Sequence, residues 1–94
     1  MAKQKIYTIT STSWRNGRTH DITGTLAELI QAHRYTLECG ASWQHEKGNK
    51  KINTAPKSIK ALVTNLNNAV NNSAANGCSD KRYSWEEVYD FDPA

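Results

Sequence analysis

Between Thr54 and Asp80 the apolar residues Ile59, Leu62, Val63, Leu66, Ala69, Val70 and Ala74 recur at intervals of three and four, the period of a helix that buries one face. Thr54 is placed to cap it, Pro56 falls in its first turn where the missing amide hydrogen is harmless, and Gly77 stands at its end. The opposite face carries Asn65, Asn67, Asn68, Asn71 and Asn72, and no charged residue occurs from Ala61 to Ser79. Asparagine is a poorer helix former than the Lys, Glu or Gln that usually coat an exposed face. This neutral wall of amides therefore calls for a reason.

Upstream the period changes. The stretch "KIYTITSTSWRNGRTHDITG" is rich in Thr, Ile, Tyr and Trp, and Asn16-Gly17 reads as a two-residue hairpin turn. That turn sets Trp14 opposite Thr19, Ser13 opposite His20 and Ser11 opposite Ile22. It puts Tyr7, Ile9 and Ile22 on the core side and Thr8, Thr10, Thr12 and Thr23 on the other. Thr25-Leu26-Ala27-Glu28 is a reciprocal N-terminal cap, opening a helix with Leu26, Leu29, Ile30, His33 and Leu37 on its buried stripe and Gly40 as its terminator. From Ala41 to Thr54 the chain is polar and aperiodic, a connecting loop. The alternation of Tyr83, Trp85, Glu87, Tyr89 and Phe91 in "RYSWEEVYDF" predicts a third strand. The expected fold is α+β, in the order ββααβ. An N-terminal hairpin and a C-terminal strand form a small antiparallel sheet with two helices on one face, as a single domain over residues 1–94.

Composition narrows the function. An apolar share of 37% in 94 residues supports one core but not a deep catalytic cavity. No apolar run approaches the roughly 20 residues of a membrane span, so a cytoplasmic location is expected. Two cysteines, Cys39 and Cys78, are too few for a disulfide framework. The formal charge of +3 is mild but uneven: Lys47, Lys50, Lys51, Lys57 and Lys60 lie mid-chain, while Glu86, Glu87, Asp90 and Asp92 crowd the end.

Catalytic sets are not legible. His20, His33 and His45 fall on a strand, a helix and a loop, with no nucleophile placed beside any of them. Cys39, His45 and Cys78, even with His33, lack the close ligand pairs of a zinc site, and Gly48-Asn49-Lys50 lacks the strand and pattern of a phosphate loop. No enzyme activity, metal or cofactor is expected. Two binding surfaces remain. Asn65, Asn68, Asn71 and Asn72 offer an uncharged face that a partner protein desolvates at low cost. Lys47, Lys50, Lys51, Lys57 and Lys60 could converge near a helix N-terminus to hold phosphates, with Trp43 stacking on a base.

The segments "TLAELI", "SWQHEKGNKKIN", "PKSIKALVTNLNNAVNNSAANG" and "YSWEEV" resemble a group of short proteins encoded among the accessory genes of tailed bacteriophages. The resemblance spans most of the chain and carries no catalytic motif. It implies a phage accessory protein that binds and inhibits a bacterial host or defence component, such as a nuclease or CRISPR complex, in the cytoplasm of the infected cell. The alternative expectation is a phosphate-recognising module that sequesters a nucleotide signal, such as a cyclic nucleotide, or a nucleic acid. A homodimer or higher oligomer is also expected, because a second copy covering the amide face or the Thr8, Thr10 and Thr12 side of the sheet would add buried area to a small core.

Overall fold

The computed structural model describes residues 5–74 and 80–88. Strand β1 (Ile6–Ser13) is central, flanked by β2 (Thr19–Gly24) and β3 (Lys81–Val88), and both pairings are antiparallel. Three helices, α1 (Leu26–Ala32), α2 (Arg34–Ser42) and α3 (Ile59–Ala74), lie between β2 and β3 in the chain. The α+β class and the three-stranded antiparallel sheet are as expected, with one helix more.

The extra helix comes from a break. The expected single helix divides at His33, whose backbone leaves helical geometry at φ −108°, ψ 13°. Its amide reaches both the Leu29 and Ile30 carbonyls, and its ring Nδ1, 2.8 Å from the Leu29 oxygen, donates to the same carbonyl. The reciprocal cap at Thr25 and Glu28 forms as the sequence indicates. Gly40, however, does not end a helix. It lies inside α2, where a Cβ would fall 2.3 Å from both Cα and Cβ of Ala69 on α3. Its missing side chain is what lets the two helices approach this closely.

The hairpin register also differs from expectation. Ile9 pairs with Ile22 and Ser11 with His20, two residues away from the alignment that a two-residue turn would impose. Asn16 does not adopt the positive φ such a turn requires, since Gly17 and Gly48 alone have it among the described residues. Ser13 and Arg18 instead close a longer loop, in which Gly17 takes φ +72° and the Asn16 side chain accepts from the Arg18 amide. A shift of two preserves which face each side chain occupies, so the inward set Tyr7, Ile9 and Ile22 is unchanged.

Helix α3 starts later than expected. Ser58 is the cap, its hydroxyl accepting from Ala61 N at 3.1 Å, and Thr54 and Pro56 precede the helix. Gly77, Tyr89 and Phe91 lie outside the described residues. The core runs between the inner sheet face and the helices: Ile9 and Tyr83 from the sheet, Leu29 and Leu37 from α1 and α2, Ile52 from the loop, and Ile59, Leu62, Val63, Leu66, Ala69 and Val70 from α3. No described helix is long and apolar enough to cross a membrane.

Candidate ligand-binding site

The asparagines of α3 are the first surprise of the site. Asn72, only 2% exposed, receives the Lys50 amide on Oδ1 and donates through Nδ2 to the carbonyls of Lys50 and Gly40 at 2.8 and 3.0 Å. Asn65 accepts from Asn53 N at 2.7 Å and donates to Ala61 O. Asn67 holds both backbone groups of Tyr83, accepting from its N–H at 2.8 Å and donating to its carbonyl at 3.0 Å. That N–H has a single hydrogen, so it faces away from β1, and Asn67 occupies the outer edge of β3 as a neighbouring strand would. A primary amide offers a donor and an acceptor side by side to match a peptide group, whereas a lysine can only donate and a glutamate only accept. The wall therefore ties the loop and the edge strand to the helix. Of the proposed contact set, Asn72 is buried and Asn65 is engaged internally, while Asn68 is half-buried and Asn71 exposed.

The lysines do not gather at one point. Lys47, Lys50, Lys51, Lys57 and Lys60 are all exposed, and none forms a salt bridge among the described residues. Asn72 and Asn65 fasten Lys50 and Asn53 antiparallel along α3. Lys50 is thus level with Asn72, twelve residues or about 18 Å of helix from Lys60, beyond a shared grip on one phosphate. Lys57 precedes the Ser58 cap instead of lying in the first turn. Around Gly48 the loop closes on itself, with Asn49 N bonded to Glu46 O and the Asn49 side chain to the Trp43 carbonyl.

Trp43 points to a different site. It closes α2 and lines a cavity of about 260 Å³ with Tyr35, Cys39, Val70, Lys81 and Tyr83. Three aromatic side chains from two elements meet there beside an ammonium group and the free thiol of Cys39. Tyr83 is fixed from below by the buried His33 ring, edge to face at 5.7 Å and 86°. Burial raises the Tyr83 phenol above its usual pKa, with a hydrogen bond to Thr36 opposing. Burial also lowers His33, against the pull of its bond to Leu29, and the positive fields of Lys81 and His20 push the same way.

Beside this cavity the inner sheet face changes character. The inward positions run Tyr7, Ile9, Ser11 and Ser13 on β1, Gly24, Ile22 and His20 on β2, and Glu87, Trp85, Tyr83 and Lys81 on β3. Past Ile9, Ile22 and Tyr83 the inward side chains at this end of the sheet are polar or charged. The result is an open polar basin of about 570 Å³ lined by Ser11, Ser13, Arg18, His20, Asp80 and Lys81. Within it the Asp80 carboxylate is already engaged, accepting from Ser13 Oγ at 3.0 Å and lying 3.6 Å from Arg15 Nε.

The other histidines are dispersed. His45 is exposed, 4.0 Å from the Glu46 carboxylate, and His20 lies across the basin. Among the described residues no three His, Cys, Asp or Glu side chains are placed to hold a metal ion, and Cys78 lies outside them. On the outer sheet face Thr8, Thr10, Thr12 and Thr23 are covered by no described helix, and Thr8 and Thr23 join hydroxyls at 2.8 Å. The basin was missed in the sequence, although its signal was there: serines and a histidine at inward positions of an otherwise apolar alternation. Comparison with protein-family models, curated proteins and solved structures finds no match.

Proposed function

We propose that this chain is a non-enzymatic accessory protein that acts by binding, and that its target is a nucleotide or a nucleic-acid segment whose base enters the Tyr35–Trp43–Tyr83 cavity. The supporting observation is the convergence of three aromatic side chains and Lys81 on one cavity. Aromatic faces accept any nucleobase by stacking, and a nearby ammonium group favours an anionic ligand. Phosphate recognition by the mid-chain lysines is the weaker form of this reading, because they are strung along α3. Calorimetry with a panel of nucleosides and nucleotides tests it: Trp43→Leu should weaken binding by about ten-fold or more without lowering the melting temperature. Failure of every base-bearing ligand to bind the native protein at millimolar concentration would remove it.

A second reading, inhibition of a bacterial host or defence protein or nucleoprotein complex, finds support in large apolar side chains left in solvent. Tyr35 is 79% exposed and Trp14 62%, and Trp85 and Val88 on the edge strand are also exposed. With most of the amide face engaged internally, such a contact would centre on these residues. Affinity capture from bacterial lysate with and without nuclease separates the readings, since a protein target survives nuclease and is lost with Trp14→Ser or Trp85→Ser.

A further inference from the structure

We infer that the polar basin next to the aromatic cavity is a phosphate subsite, so that the ligand is a nucleoside phosphate held across both. This rests on the cavity reading and adds to it a second, separately testable contact. The basin and the cavity share one residue, Lys81, which lines both. Register fixes their spacing. His20, Ser11 and Tyr83 form one row across the sheet, and Arg18, Ser13 and Lys81 form the next, all on the inner side. Neighbouring strands lie about 4.8 Å apart and successive inward positions about 7 Å along a strand, so the positions that carry the basin lie roughly 5–10 Å from Tyr83 along the sheet. That is the span of a ribose between its base and its phosphate.

The chemistry of the basin suits an anion. Arg18 and Lys81 form no salt bridge among the described residues. The one carboxylate of the lining, Asp80, is turned toward Ser13 and Arg15. The Ser11 hydroxyl already donates to the His20 carbonyl at 3.3 Å and the Ser13 hydroxyl to Asp80, so the donors left for an anion are the fixed charges of the Arg18 guanidinium and the Lys81 ammonium group. Arginine presents its donors as a planar fork that matches two phosphate oxygens, and lysine adds a point charge. A core sheet face would not place two cations and two serines at inward positions unless that part of the face met solvent or an anionic ligand.

Calorimetry with adenosine, adenosine monophosphate and inorganic phosphate tests the assignment on the native chain and on Arg18→Gln and Lys81→Gln. The Arg18 side chain makes no described hydrogen bond, so its replacement should leave the melting temperature unchanged, and Lys81→Gln provides a second probe on a different strand. The monophosphate should bind at least about ten-fold more tightly than the nucleoside, as expected for charge-assisted contacts. That advantage should shrink with added salt and largely disappear in Arg18→Gln, with adenosine affinity unchanged. Equal affinities for nucleoside and monophosphate would overturn the subsite while leaving the cavity reading intact. So would an advantage abolished by Lys50→Gln with Lys51→Gln and unaffected by Arg18→Gln. Arg18-dependent binding of inorganic phosphate without any nucleoside binding would support the basin and overturn the cavity, and binding of none of the three would overturn both.

Discussion

Replacing Asn72 by alanine removes a side chain that satisfies three backbone groups at once, Lys50 N, Lys50 O and Gly40 O. A neutral hydrogen bond contributes about 1 kcal/mol net, so the three together set a loss of about 3 kcal/mol. Two effects reduce it. Alanine is the better helix former by roughly half a kcal/mol, and the Gly40 carbonyl retains a second donor in Trp43 N at 3.2 Å. The expected net destabilisation is about 1.5–2.5 kcal/mol, or a fall in Tm of roughly 6–20 °C for a domain of this size. Urea denaturation followed by circular dichroism measures it directly. Asn71→Ala on the exposed side of the same helix is the matched comparison: with no described hydrogen bond to lose, it should be neutral or slightly stabilising. If Asn72→Ala lost less than about 1 kcal/mol, or Asn71→Ala lost as much as Asn72→Ala, the internal role assigned to the amides would be refuted.

At Gly40 the two helices leave no room for a methyl group. Gly40→Ala should lower the unfolding free energy by about 1–2 kcal/mol despite the gain in helix propensity, and an unchanged or raised urea midpoint would contradict the close approach to Ala69. The pKa of His33 is lowered from 6.5 in the folded state, so the unfolded chain binds more protons below that value. Its contribution is fully present above about pH 6.5 and is lost as pH falls toward the depressed folded value; unfolding free energies at about pH 7.5 and 5.5 should therefore differ less in His33→Asn than in the native chain, and identical differences would exclude this role. The threonine face that no described helix covers leads to the last expectation: sedimentation should show a dimer that Thr10→Lys dissociates, whereas a monomer at tens of micromolar native protein would dismiss self-association.

Local patterns fixed much of this protein in advance. The spacing from Ile59 to Val70 required an amphipathic helix, the Thr25 and Glu28 pair required a helix start, and the alternation of Tyr7, Ile9 and Ile22 assigned an inner sheet face; each depends on neighbours along one element, and each is present in the structure. What the sequence left undecided was set by partners distant in the chain. An asparagine on a helix reads the same whether it meets solvent or a peptide group, and only the path of the loop along α3 decided that Asn72 would be buried against Lys50. Gly40 reads as a terminator until Ala69 is found against it. The positions of Trp43, Arg18 and Lys81 around a joined cavity and basin follow from strand register and helix packing, which are collective properties of the whole chain and have no local period. Short-range backbone preferences are written residue by residue, whereas complementarity between surfaces exists only after the elements have met.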